Sequence, residues 1–527
     1  MRVILVICIA LISTLEVKAQ TYSNPILPGF HPDPSICRVG EYYYLANSTF
    51  EFFPSVPIHR SKDLVNWELI GHVVTRNNQL NMEGYNASGG VHAPTIRYHN
   101  SKFYVVFTNI GETIQNLLFV ADSAMTRWSD PYVITDERPW GIDPDLFFDD
   151  DGRCYFSANR KSQGEEPYPK YREIVTQELD LNTMQLVGEL SVLSSGNVKG
   201  ATSTEGPHIY KKDGLYYLIV AEGGTGDNHA VTIASSTNVF GPYEPCPYNP
   251  ILTHRFMQRS IDLRKLGHAD LVQTPEGDWW MVFLGVRYTT DQKPFMGRET
   301  YLVPVEWDGK YPVVNPGYGK VQFNYPLPPR VDSYDRKELF VDEFEDSQLH
   351  PSWTFLRSEN DFAEVDNGAL EISFQEADLE SLSSPSFIGR RIESPSFEAI
   401  IDLEPIKLKP NETAGVTLLA DNNNHVRIDL DGQSLKLIEV RNGESKLLEE
   451  ATVDHSGLKI RVSSGDEVFS LSYARDNGAW VNFKENIRLL SLNKYRYTGA
   501  FIGFYGSSNG SKPKGKLQVL RFEYRNL

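Results

Sequence analysis

Cysteine is scarce, 4 in 527 residues, and Cys8 lies inside the N-terminal apolar run. Cys37, Cys154 and Cys246 stand far apart, with no CxxC spacing and no Cys/His pair. That pattern excludes a disulfide-stapled scaffold and a zinc-finger type of centre, and leaves buried free thiols as the expectation. Positive charge is also short. Lys+Arg 51 against Asp+Glu 69 gives a formal net charge of −18, the wrong sign for nucleic acid or an anionic membrane surface. A neutral partner is unaffected. No apolar run after residue 19 is long enough to span a bilayer, and no stretch keeps the periodicity of a long helix. Nucleic acid and a membrane span are therefore excluded as expectations, and strands are left to build the fold.

Residues 1–19 read as a secretory signal peptide. Arg2 supplies the charged start, Val3 to Leu15 a short apolar run, and Val17-Lys18-Ala19 a small-residue cleavage site. Cys8 lacks the small residues that precede a lipidated cysteine, so an exported chain starting at Gln20, in the periplasm or the extracellular medium, is expected.

One short pattern occurs five times. Asp33-Pro34-Ser35-Ile36 leads through a turn into Tyr42-Tyr43-Tyr44-Leu45. Ala93-Pro94-Thr95-Ile96, Asp143-Pro144-Asp145-Leu146, Gly206-Pro207-His208-Ile209 and His268-Ala269-Asp270-Leu271 each precede an aromatic segment in the same way. Aligned on Pro34, Pro94, Pro144, Pro207 and Ala269, the copies lie 60, 50, 63 and 62 residues apart. A strand–turn–strand repeat of this length predicts a β-propeller with five blades over residues 20–325.

Equivalent positions in a propeller stand equally far from its axis. At or just before the repeat's proline the chain carries Asp33, Asp143, Glu205 and His268, with His92 in the remaining copy. Three carboxylates and two imidazoles are thereby aimed at one central site. Carboxylates that share a site repel and raise one another's pKa. Such crowding is useful when one must stay protonated as an acid while another stays ionised as a base.

The run Tyr325-Pro326-Leu327-Pro328-Pro329-Arg330 reads as the start of an extended linker, 326–338. Beyond it the repeat is gone. Alternating segments such as Phe397-Glu398-Ala399-Ile400-Ile401 and His425-Val426-Arg427-Ile428-Asp429-Leu430 predict a β-sandwich over 339–527. Its expected role is to brace the propeller; binding carbohydrate and lending a loop to the pocket are the alternatives. Asp342, Glu343 and Asp346 read either as a calcium-holding turn or as a solvated acidic one.

The segments Asn24-Pro25-Ile26, His31-Pro32-Asp33-Pro34-Ser35-Ile36, Ser61-Lys62-Asp63-Leu64-Val65-Asn66-Trp67, Glu205-Gly206-Pro207-His208, Gly267-His268-Ala269-Asp270 and Gly297-Arg298-Glu299-Thr300 together resemble glycoside hydrolase family 43, especially its β-xylosidase and α-L-arabinofuranosidase group. The C-terminal region resembles the concanavalin-like sandwich that accompanies many of these enzymes. The resemblance implies a five-bladed propeller and an inverting mechanism. Asp33 would be the general base, Glu205 the general acid, and Asp143 the residue that orients Glu205 and raises its pKa. It implies substrate contact for Arg298 and places His268 near an axial metal or water position, where a structural calcium ion would fit. Phe50, Phe52 or Phe53 would form an apolar platform under the sugar, with His229 a further pocket residue. The reaction itself would need no cofactor. His92 stands where many relatives carry Trp or Tyr, which leaves xylose and arabinofuranose both open. The expected function is exo-acting removal of terminal xylose or arabinose from plant hemicellulose oligosaccharides. An endo-arabinanase on the same propeller, a non-catalytic sugar-binding propeller and a retaining fructan-acting enzyme are the alternatives. Presence of all three acids counts against the second of these, and Gly206 after Glu205, where fructan-acting relatives carry Cys, against the third.

Overall fold

Each sequence repeat folds as an antiparallel hairpin. Tyr42–Ala46 returns along Ser35–Val39, with Ile36 opposite Leu45. The turn between them needs a left-handed residue, and Gly40 supplies it at φ 61°. Gly90–His99 with Lys102–Ile110, Asp145–Phe148 with Cys154–Arg160, Glu205–Lys212 with Leu215–Glu222, and Leu263–Gln273 with Trp279–Arg287 repeat the plan. The computed structural model describes residues 20–527 apart from 137–139, 258–259, 290–295, 360, 405–407, 432, 455–456, 477, 493–496 and 513–514. The expected signal peptide, 1–19, lies outside the described residues. Among these residues there is no α-helix, so the all-β expectation holds.

Every hairpin is extended to a four-stranded antiparallel sheet in chain order. The first strands of the five sheets neighbour one another in sequence, and the fifth neighbours the first, which makes a closed ring. Thr21–Ser23 pairs with Asn324–Pro326 and ties the two ends of the ring segment together. Between sheets the contacts are apolar, as with Ile219, Val231, Leu271 and Leu302. Cys154 and Cys246 are buried free thiols and Cys37 is a half-buried one.

Where the first strands converge, the packing is ionic. Arg97 places Nη2 2.8 Å from Asp145 Oδ1 and Nη1 2.8 Å from Asp270 Oδ2. His208 Nδ1 lies 3.0 Å from Asp145 Oδ1. Ser35 Oγ donates to Asp270 Oδ2 at 2.8 Å, and Tyr210 O–H donates to Asp270 Oδ1 at 2.5 Å. All five sheets thus contribute to one network. In sequence Asp145, Asp149, Asp150 and Asp151 read as a solvated acidic turn and Asp270 as a strand cap; in the structure Asp145 and Asp270 are completely buried and are neutralised by Arg97. Asp149 is also buried, accepting from Lys211 and Tyr216, whereas Asp150 and Asp151 are exposed.

From Leu339 onward the strands form an eight-stranded and a six-stranded sheet. Phe397–Leu403 shows why: Phe397, Ala399, Ile401 and Leu403 are buried while Glu398, Ile400 and Asp402 are not, the period-two pattern of a strand with one face on a core. Lys516–Asn526 runs between Ala369–Ser373 and Phe397–Leu403. At the turn after Leu339, Asp342 accepts from the Trp353 indole at 2.8 Å and the Phe344 amide at 2.9 Å, and Glu343 pairs with Arg521 at 3.3 Å.

The two regions are joined by backbone. Phe355–Leu356 pairs with Phe52–Phe53 as a two-stranded sheet. A Cβ on Gly499 would stand 2.2 Å from the Met296 carbonyl oxygen, so only glycine permits that approach.

Candidate active site

At the mouth of the ring the repeats share an uncommon backbone state. The residues just before the aligned positions, Asp33, Ala93, Asp143, Gly206 and His268, have φ of 50, 44, 60, 56 and 49°. Left-handed non-glycine residues are costly and persist where the surrounding structure enforces them, often at functional sites. The hairpin register also slips there, between His92 and Thr95, between Glu205 and His208, and between Gly267 and Asp270. Such bulges re-aim side chains. Asp33, Asp143 and His268 therefore occupy equivalent places, and His92 and Glu205 each stand one residue earlier.

Asp33 is buried and well partnered. Arg298 Nη1 lies 2.7 Å from its Oδ1, and Ser48 Oγ donates to its Oδ2 at 2.6 Å. Ser48 is itself fixed by accepting from the Ala93 amide at 2.6 Å. Burial pushes the Asp33 pKa up, but Arg298, aided by Ser48, outweighs it and holds the carboxyl below its ordinary range. Asp33 is held ionised.

Glu205 and Asp143 go the other way. Burial, then the charge on Asp33, raises Glu205 to about 7. Burial raises Asp143 well above its usual value, and the charges on Glu205 and Asp33 add to it. Asp143 accepts a bond from the Gly206 amide, which holds the peptide next to Glu205, and its own amide donates to Thr108 Oγ1 at 3.0 Å. The sequence assigns the raised Glu205 pKa to Asp143. In the structure, burial and Asp33 lead. Glu205 and Asp143 titrate as a pair that keeps a proton near neutral pH.

Arg298, buried at the start of Arg298–Asp308, lies beside two rings, 5.3 Å from the centroid of Phe50 and 5.3 Å from that of Tyr497. Phe50 and Tyr497 are stacked at 6.0 Å with 13° between planes. His92 meets the Phe50 ring edge-on at 4.4 Å and bonds through Nε2 to the Ser88 carbonyl at 3.0 Å; burial lowers its pKa to about 4. Tyr497 comes from the sandwich region, is 46% exposed, and accepts at its carbonyl from Arg298 Nε at 3.3 Å. It is the residue sequence reasoning missed. The role expected for the sandwich from sequence is to brace the propeller, and no motif near residue 497 marks it.

Of the remaining predicted residues, His268 joins the group, with Nδ1 3.9 Å from Asp143 Oδ2, and burial lowers it to about 4. His229 packs behind it. Its Nδ1 bonds the Lys265 carbonyl at 2.9 Å, its pKa is lowered by burial to about 4, and its ring fills the space a Cβ on Gly267 would need. Phe52 is displaced from the group. It is buried between the two regions, stacked on Phe501 at 4.0 Å in a cluster with Phe30 and Leu356. Backbone pairing with Leu356 pulls it there, so it is packing and no platform. Among the described residues no three His, Cys, Asp or Glu side chains gather into a group that could hold a metal ion.

The family model "Glycosyl hydrolases family 43" matches residues 22–311, and "Beta xylosidase C-terminal Concanavalin A-like domain" matches 341–525. A xylosidase/arabinosidase of Butyrivibrio fibrisolvens is 37% identical over 500 residues, 93% of this chain and 96% of that protein. A non-reducing end α-L-arabinofuranosidase of Bacteroides ovatus is 34% identical, covering 100% of this chain and 99% of the relative. Among solved structures, a xylan beta-1,4-xylosidase from Bacillus halodurans superimposes with a TM-score of 0.88 at 32% identity, over 96% of this chain and 100% of that one. An ionised and a protonated carboxyl in one buried site, on a scaffold matched along nearly its whole length, have one common reading: the chain belongs to glycosyl hydrolase family 43 and is a glycosidase.

Proposed function

We propose an exported, inverting exo-glycosidase that removes terminal xylose or arabinofuranose from hemicellulose oligosaccharides. In this reading the ring of five sheets is a five-bladed β-propeller over 20–325, followed by a linker, 326–338, and the sandwich, 339–527. The carrying observation is the opposed protonation of two acids in one site: Arg298 keeps Asp33 ionised while burial keeps Glu205 protonated to about pH 7.

Inversion needs those two states at once. Asp33 takes a proton from a water molecule as the water oxygen bonds the anomeric carbon. Glu205 gives its proton to the glycosidic oxygen as that bond breaks. Asp143 holds the Gly206 amide, so it positions Glu205, and its own hunger for a proton keeps the pair from losing one early. Arg298 pairs with Asp33 and keeps it ionised. These transfers need no cofactor. The names of the relatives support a pentose, and Tyr497 standing over Phe50 and Arg298 supports a site that takes a chain end, against the endo-acting alternative.

The test is nitrophenol release from the β-D-xylopyranoside and the α-L-arabinofuranoside, with Asp33→Asn and Glu205→Gln alongside. Turnover of either sugar that collapses in both variants is expected. Undiminished turnover in both would remove these residues from the reaction. Proton NMR of the first-formed anomer decides inversion, and the N-terminus of protein recovered outside the cytoplasm decides export and cleavage before Gln20.

A further inference from the structure

A cleft of about 700 Å³ lies away from the three acids, between the first sheet, the 333–340 segment and the sandwich. Arg390 and Arg391, the last two residues of Ser386–Arg391, both line it and are each only 6% exposed. Arg390 lies over the Phe340 ring at 3.9 Å and the Tyr524 ring at 5.3 Å, and its Nη2 bonds Glu393 Oε1 at 2.7 Å. Arg391 donates from Nε to the Phe30 carbonyl at 2.7 Å. The other buried guanidinium nitrogens, Nε and Nη1 of Arg390 and Nη2 of Arg391, have no acceptor among the described residues. Across the cleft, the buried Nδ1 of His59 is likewise unpaired.

Buried donors without acceptors are costly, more so on a cation. Glu393 is the carboxylate paired with Arg390, and it faces two guanidiniums; Glu68, paired with Arg60, and Asp63, Asp335 and Glu338 line the rest of the cleft. Burial, opposed by Glu393 and reinforced by Arg390, lowers the Arg391 pKa to about 10, the direction expected of a cation short of counter-charge. Trp67 and Tyr334 line the same cleft. In a chain of net charge −18, two buried and incompletely paired arginines mark a place built for an anion.

We propose that this cleft is a second binding site for a sugar carrying a carboxylate, a uronate. Guanidinium forks take planar carboxylates through paired N–H bonds. The volume falls in the range that encloses a small organic ligand and far exceeds what a tetrahedral anion fills. Aromatic side chains give the sugar ring a face to lie on.

Calorimetric titration of the mature protein with D-glucuronate, D-glucose and inorganic phosphate tests this. Glucuronate is expected to bind at least tenfold more tightly than either, and Arg390→Gln to weaken it at least tenfold. Arg390→Lys, which keeps the charge and loses the fork, should fall between. Glucose binding as well as glucuronate would overturn the carboxylate, and phosphate binding more tightly would reduce the site to a simple anion hole and overturn the sugar. Affinity unchanged in Arg390→Gln but lost in Arg298→Gln would move the ligand to the active site and also overturn it. A crystal soaked in glucuronate needs no variant: density beside Arg390 and Arg391 supports the proposal, and density solely beside Asp33 and Arg298 sinks it.

Discussion

Arg97, Asp145, His208 and Asp270 meet at the centre of the ring; Val416, Leu437, Ile460 and Phe504 meet at the centre of the sandwich. Both regions are antiparallel strands with alternating faces. They differ because the ring brings five first strands to one axis, and every copy there can present a charged group whose partner sits on another copy. The sandwich has two broad inner faces and fills them with hydrocarbon. Charge held rigidly in a dry centre is what shifts carboxyl pKa values in opposite directions. A hydrocarbon centre can only support from outside, which here includes holding Tyr497 in place.

The largest expected effects test the ring's claim to the chemistry. Asp33→Asn and Glu205→Gln should each cost about 10²–10⁴-fold in kcat/KM, the usual worth of a base or acid, with the fold intact by circular dichroism. Next comes the ionic centre. Arg97→Met leaves Asp145 and Asp270 buried and unpaired, and should lower stability by about 3–5 kcal/mol in a denaturant titration. In the sandwich, Leu437→Ala opens a cavity and should cost about 2–5 kcal/mol, while the pH dependence of nitrophenyl glycoside turnover stays as it was. If Leu437→Ala moved that profile and Arg97→Met did not, the contrast between the regions would fail. Tyr497→Ala should alter kcat/KM by about tenfold, roughly 1.4 kcal/mol, with little change in stability because the residue is half exposed.

The smallest effect is the pH linkage. Activity should fall above about pH 7 as Glu205 loses its proton, and fall on the acid side only below the ordinary carboxylate range, where Asp33 protonates. Stability follows its own sign. Glu205 and Asp143 are raised in the folded chain, so it holds protons that the unfolded chain would release. That contribution is complete below the unfolded carboxyl value and is lost as pH rises through the raised folded one. Asp143→Asn removes part of the loss and should raise the melting midpoint in alkaline buffer, by about 1 °C per kcal/mol regained for a chain of this size, and leave it unchanged in acid.

The sequence exposes whatever the ring must repeat. Five copies need the same turn into the same strand, so Pro34, Pro94, Pro144 and Pro207 recur and carry Asp33, Asp143 and Glu205 with them. Contacts made once leave no such trace. Asp145 looks like part of an acidic turn because its counter-ion, Arg97, is on a different sheet. Phe52 looks like a pocket residue because its backbone partner, Leu356, is hundreds of residues away. Tyr497 reaches Arg298 across 199 residues of chain, with nothing around it in sequence to announce a role. The left-handed bend at Asp33 and its equivalents is hidden as well, since a residue before proline ordinarily reads as extended.

The strand Lys516–Asn526 follows Tyr497 in the chain and lies inside its sheet, flanked on both sides. During synthesis the five sheets and all three acids leave the ribosome well before that strand does. A nascent chain can therefore own Asp33, Asp143 and Glu205 while the wall that Tyr497 completes is still missing. The order of translation makes the pocket the last part of the enzyme to be finished.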